Sequence, residues 1–267
     1  MAARGGHNRH LRLVEEAAAG DNAAPESQEP PASSSTGDTP EPPELAARSL
    51  RTLLLATVPM YGIGLAWSCQ YAKVTPVLQE LGLSDEYLGV AWLAGPISGI
   101  VVQPLVGTLS DRTRARCGRR RFWMWCGSCG LGVSMLLMAW APPLGRALGD
   151  EGSSTPAALA IAVGSFWAAD FFINALQGPS RTLLVDVAPP SQHTLGNGLF
   201  SIWDSLGKIS GFFVGSFELA DTLPFLRDDA GPLFADVRAL FVFSCVMLVL
   251  AQARYAPRCM PRCPPRL

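Results

Sequence analysis

The sequence predicts an all-helical membrane protein with six spans, and three observations carry that reading. Only 16% of the 267 residues are charged and 49% are hydrophobic, whereas soluble domains carry about 25% charged residues. Two stretches, Tyr87 to Leu109 and Phe122 to Leu144, each run 23 residues without a charge, beyond the roughly 18 that mark a membrane helix. The loop between them, Ser110 to Arg121, holds six arginines, and a basic excess of this kind stays on the cytoplasmic side.

Residues 1–50 are rich in Ala, Pro, Ser and Glu and cannot bury a core, so a disordered tail is expected there. The tail is too polar for a secretory signal, and the first apolar run lies far from Met1. The first helix is therefore expected to act as an uncleaved anchor. Span one is expected at 52–79: Thr52 to Ala72 is uncharged, and Gln70 and Lys73 precede Pro76. Span two is expected at 87–109 and span three at 122–144.

Span four, 156–187, and span five, 195–217, cross only if their internal charges face protein or water. Span six, 239–253, is the shortest. Acids such as Glu80, Asp85, Glu86, Asp221, Asp228 and Asp229 collect in the other loops. The positive-inside rule then places the arginine loop and both termini in the cytoplasm, in a plasma or organelle membrane. Gly207, Gly211 and Gly215 on span five, and Gly95 and Gly99 on span two, repeat every fourth residue. Such rows let helix backbones approach closely.

Span four carries the most informative pattern. At 100° per residue, Asp170, Asn174, Gln177 and Arg181 fall within about 60° of one another. They form a polar stripe on an otherwise apolar helix. Asp170 and Arg181 stand roughly 16 Å apart along the axis, too far to neutralise each other. An intramembrane charge costs about 3 kcal/mol on lenient scales and usually marks a pathway. The stripe is read as lining a polar path, against the plainer reading that both ends anchor the helix at the headgroups. Lys73 could reach Asp170 if spans one and four are neighbours. Asp204 and Lys208, four apart on span five, are in the favourable order for a self-neutralised helical pair.

Other chemistry is not expected. Cys126 and Cys129 form a C-x-x-C inside an apolar helix, without a second pair at zinc-like spacing, and the histidines are His7, His10 and His193. They are read as packing residues, with no metal and no cofactor. There is no phosphate loop, nucleophile elbow or acid–base carboxylate pair, so an enzyme is not expected. A net charge of −1 and the absence of a motif argue against nucleic acid.

Two motifs carry a resemblance. WLAGPISGIVVQPLVGTLSD from Trp92 to Asp111, followed by GRRR at 118–121, resembles the sucrose–proton symporters of the glycoside–pentoside–hexuronide group within the major facilitator superfamily. QGPSR at 177–181, with Asp170 before it and Asp186 after it, is similar to that family's fourth-span motif. The resemblance implies half of a twelve-helix carrier: six helices in two triple-helix repeats related by an internal two-fold, with spans one and four lining the cavity. It also implies proton-coupled transport of sucrose or a related glycoside by alternating access. It suggests Asp170 as a proton-linked carboxylate and Arg181 as a sugar- or carboxylate-pairing cation; the residue pattern itself adds Asn174, Gln177, Lys73 and Gln70 to the expected substrate and proton pathway. The resemblance places Asp111, Arg119 and Arg120 in a cytoplasmic gating motif, and Arg112 and Asp186, at the same face, are expected to join it.

Departures accompany the resemblance. Phe122 stands where the family has proline, and Lys73, Asp204 and Lys208 are charges foreign to it. The last residues, 254–267, are basic and repetitive, readable either as a polybasic tail or as non-native translation. The partners implied are a lipid bilayer, sugar, protons, and a second six-helix half or a second copy. The alternative is a non-transporting six-helix protein that associates with full-length carriers.

Overall fold

The computed structural model describes residues 47–115, 118–152, 155–217, 219, 226 and 229–255. The expected N-terminal tail up to residue 46, the terminal stretch from 256, and Arg116, Cys117, Asp221 and Asp228 lie outside these. Every regular element among the described residues is helical.

Three of the expected spans are bent by proline. The first is α1 (Leu50–Thr57) running into α2 (Pro59–Glu80), the second α3 (Asp85–Trp92) into α4 (Ala94–Arg112), and the third α5 (Arg119–Ala139) into α6 (Ala141–Ala147). The bends fall at Val58, Leu93 and Trp140. Pro59, Pro96, Pro142 and Pro143 have no N–H to donate to the carbonyl four residues back. Ser49 caps α1, its hydroxyl accepting from the Thr52 amide at 3.4 Å. The fourth helix, α7 (Pro156–Val187), is 32 residues long and unbroken despite Pro179. Its first turn is capped from outside, because the Asp150 carboxylate accepts from the amides of Ala157 and Ala158 at 2.9 and 2.8 Å. After a 3₁₀ turn at Pro190–Gln192 come α8 (His193–Gly215) and α9 (Pro232–Tyr255).

Five of these segments are long and apolar enough to cross a membrane: Leu50–Glu80, Asp85–Arg112, Arg119–Ala139, Pro156–Val187 and Pro232–Ala253. The remaining long helix, α8, has 23 residues, about 34 Å at 1.5 Å each, and so matches a hydrocarbon core of about 30 Å. Asp204 and Lys208 lower its hydropathy.

The sixth helix corrects the expected boundary. It begins at Pro232, not at residue 239, and takes in Arg238, only 2% exposed. Arg238 donates through Nε to the Ala139 carbonyl at 3.2 Å and through Nη1 to the Leu226 carbonyl at 2.8 Å. Its guanidinium also stands 5.4 Å from the centre of the Trp140 ring. The Ala139 carbonyl is the one that Pro143 cannot serve. A cation from α9 therefore completes the break in the third span.

The packing has a two-fold logic. In one triple (α1/α2, α3/α4, α5/α6), α2 packs on α8 and α9 of the other; in that other triple (α7, α8, α9), α7 packs on α4 and α5/α6 of the first. Exchanging the triples maps these contacts onto one another. The α2–α7 and α5–α9 contacts map onto themselves, as expected of internal repeats. The seam between α2 and α8 is made close by glycine. A methyl at Gly64 would strike the Asp204 carbonyl, one at Gly207 the Tyr61 carbonyl, and one at Gly211 the Ser68 side chain. The buried centre is apolar, with Leu53, Ile63, Leu78, Phe166, Ile173 and Phe241 nearly or wholly inaccessible.

Candidate polar pathway and cytoplasmic gate

The stripe on α7 turns toward α4. Asp170 is 1% exposed, and neither carboxyl oxygen has a hydrogen-bond partner among the described residues. It faces Gly95. One turn on, Asn174 faces Gly99 in the same way. The glycine row on span two thus lies against the polar stripe, where an added methyl would make only ordinary van der Waals contact.

Asn174 is fully engaged. Its Nδ2 donates to the Ser98 hydroxyl at 2.8 Å and to the Asp170 carbonyl at 2.9 Å, and its Oδ1 accepts from Gln103 Nε2 at 2.6 Å. Gln103 also donates to Gln177 Oε1 at 3.2 Å. Amides that would be costly alone in a bilayer thus satisfy one another and tie α7 to α4. Arg181, toward the C-terminal end of α7, is exposed and makes no ion pair or hydrogen bond among the described residues.

The first span contributes differently from the sequence expectation. α2 touches α7, yet Lys73 forms no ion pair with Asp170. Two residues are about 200° on a helix, so Lys73 points away from the face that carries Tyr71. The Tyr71 ring lies between those of Trp67 and Trp92, stacked at 5.6 and 5.7 Å. Trp92 in turn meets Phe166 edge-on at 5.1 Å and donates to the Thr75 hydroxyl at 3.1 Å. Phe166 is one turn N-terminal to Asp170 on α7, so this aromatic ladder stands on that side of the carboxyl. Gln70, 1% exposed, has neither amide atom partnered among the described residues. On α8, Lys208 and Asp204 meet at 2.6 Å.

At the C-terminal ends of α4 and α7 the charges are densely paired. Arg120, 5% exposed, meets Asp111 at 2.5 Å and Asp186 at 3.2 Å, and also donates to the Ser110 hydroxyl. Arg119 donates to both oxygens of Asp186 at 3.3 Å. One guanidinium thus bridges the end of α4 to the end of α7, the planar donor fork serving two carboxylates. Arg112 is exposed and takes no part in these pairs.

A second clamp, also at the C-terminal end of α7, was not visible in the sequence. The Arg48 amide donates to Gln192 Oε1 at 2.9 Å, Gln192 Nε2 returns to the Arg48 carbonyl at 3.0 Å, and Arg48 Nε reaches the Val187 carbonyl at 3.1 Å. It joins the start of α1 to the turn between α7 and α8. Cys126 and Cys129 are exposed on α5, and the described residues contain no cluster of His, Cys, Asp and Glu able to hold a metal ion.

Comparison with known proteins agrees with this geometry. The family model described as "Major Facilitator Superfamily" matches residues 31–265. Sucrose transport protein SUC3 of Arabidopsis thaliana is 34% identical over 212 residues, covering 76% of this chain and 36% of that protein. SUC4 of the same plant is 37% identical over 191 residues, covering 70% and 37%. Sucrose transport protein SUT4 of Oryza sativa subsp. indica is 33% identical over 222 residues, covering 79% and 37%. The chain spans little more than a third of the length of these curated relatives. Interleaved helix triples, a polar stripe on the fourth span, arginine pairs at the end of that span and a match across most of the sequence lead to one conclusion: this multi-pass membrane chain belongs to the Major Facilitator Superfamily.

Proposed function

We propose that the chain forms one half of a secondary active carrier that moves sucrose or a related glycoside together with protons. The observation that carries this reading is Asp170, a carboxyl sealed in the bundle with both oxygens unpartnered. A buried polar group left without partners costs about 1–3 kcal/mol, a burden that a merely structural position has no reason to bear. A carboxyl that binds a proton when sealed and releases it when wetted can couple proton entry to a change of access. The aromatic ladder on its outer side and the arginine pairs at the inner end provide the two barriers between which such a site alternates.

Arg181, exposed and uncommitted, supplies a planar donor fork to sugar hydroxyls or to a carboxylate released from another contact. The relatives named for sucrose transport support the substrate class. The remaining wall of the cavity comes from a second six-helix half or a second copy, and the arginine loop and both termini face the cytoplasm of a plasma or organelle membrane.

The test is sugar uptake by sealed vesicles carrying the protein, driven by an imposed proton gradient. Asp170→Asn keeps shape but cannot change charge, so accumulation against the sugar gradient is expected to vanish while downhill exchange persists. Arg181→Lys is expected to cut uptake about tenfold or more by losing the fork. Undiminished accumulation by Asp170→Asn would remove Asp170 from the coupling. Absence of any sugar flux in the unaltered protein would favour the alternative, a six-helix protein that associates with full-length carriers.

A further inference from the structure

The pair on α8 has so far had no role beyond neutralising itself. Its position says more. Gly211 packs on Ser68, so Lys208, one turn inward, stands level with about residue 65 of α2. Asp170 is one turn from Phe166, which meets Trp92, which stacks on Tyr71, so two ring contacts link that part of α7 to α2. Both sites thus adjoin α2, the α7 stripe through this aromatic ladder and the α8 pair through the glycine seam.

Their direction agrees as well. Around α2, Tyr71 is offset by about 60° from Ser68, which faces α8. Around α8, Asp204 and Lys208 are offset by about 20° and 60° from Gly211, in the sense that brings them to the same flank of the seam. The Tyr71 hydroxyl lies within electrostatic reach of Asp170, Asp204 and Lys208 together. Tyr71 is 50% exposed, and the Lys208 and Asp204 side chains are 39% and 22% exposed.

We propose that Tyr71, Asp204 and Lys208 form a second polyol-binding subsite, which takes one hydroxyl-bearing ring of the substrate while the α7 stripe takes the other. It rests on the carrier reading above and names the ligand chemistry of a wall that reading leaves blank. A sugar hydroxyl is both donor and acceptor. Lys208 keeps N–H groups beyond the one given to Asp204, Asp204 keeps a second oxygen, and the tyrosine hydroxyl can do either. The tryptophans on both faces of Tyr71 fix its ring, so little ordering is needed on binding. Because lysine and aspartate cancel, the subsite carries no net charge and suits a neutral glycoside rather than a sugar acid.

The experiment is sucrose binding to the full chain in lipid nanodiscs, read by tryptophan fluorescence, since Trp67 and Trp92 sandwich Tyr71. A saturable response is expected. Tyr71→Phe, which removes one oxygen and keeps the stack, should weaken it about fivefold, and Lys208→Gln about tenfold. The unaltered chain should also reject at least one monodeoxysucrose by about fivefold. Tyr71→Phe should bring that ratio to about one, which a merely structural role would not do. A wild-type chain that ignores sucrose overturns the carrier reading and the subsite together. A wild-type response that both variants share unchanged overturns the subsite alone, as does tighter binding of glucuronate than of sucrose. If Lys208→Gln does not fold, Tyr71→Phe decides.

Discussion

Asp170 and Asp186 are the same side chain on the same helix, about 24 Å apart along α7. Asp186, at the helix end, accepts from two arginines, one of them almost wholly buried. The middle one accepts from nothing among the described residues. A saturated carboxylate holds elements together, and its removal leaves cations without counter-charge. An orphaned one weakens the fold it sits in, and its persistence calls for a task other than cohesion. The contrast separates the structural charges of this bundle from the working ones.

The sharpest break in that contrast would come from Arg120. Arg120→Ala leaves Asp111 and Asp186 facing each other with one buried bridge gone, and is expected to cost about 3 kcal/mol. Denaturant titration in micelles checks it, and a loss under about 1 kcal/mol would mean that the bridge is a solvated surface contact. Asp170→Leu should act in the opposite sense. Replacing an unpartnered buried carboxyl by an apolar group of similar size is expected to stabilise by about 1–2 kcal/mol, and destabilisation in the same titration would show that Asp170 has a partner after all.

Between these extremes lies Gln103. Gln103→Leu strands the Asn174 and Gln177 oxygens, and a loss of about 1 kcal/mol is expected, near the usual worth of an intramembrane hydrogen bond. The smallest effect belongs to Lys73. Because it is turned from the stripe, Lys73→Ala should shift stability by less than about 0.5 kcal/mol and leave gradient-driven uptake unchanged; reduced accumulation would restore it to the pathway.

The stripe on α7 was legible because helical periodicity alone puts four residues on one face. Its partners were not. Gln103 sits in an apolar run, and only the packing of α4 on α7 shows which amides meet. Lys73 illustrates the same limit. That spans one and four touch follows from the repeat, but which edge of α2 is turned to α7 depends on rotation about the helix axis, and local spacing is silent on that. The proline bends were not anticipated either, although each follows from a missing donor. Nor was the start of the last helix, since a buried arginine looks like a boundary in the linear sequence. The Tyr71 sandwich joins residues from two spans, so no local pattern announces it.

The contact between Arg238 and the Ala139 carbonyl also bears on how the chain is assembled. The two residues are 99 positions apart, and in a membrane protein made from its N-terminus the third span enters the bilayer long before α9 is synthesised. During that interval, the carbonyl exposed by Pro143 lacks the donor that Arg238 gives it in the folded chain, in a solvent that offers no substitute. The third span is therefore incomplete until α9 arrives. Arrival of α9 is rewarded only at the correct depth, where the guanidinium finds both that oxygen and the Trp140 ring. A proline in one helix and an arginine in another thus make the full hydrogen bonding of the third span conditional on α9 packing in register.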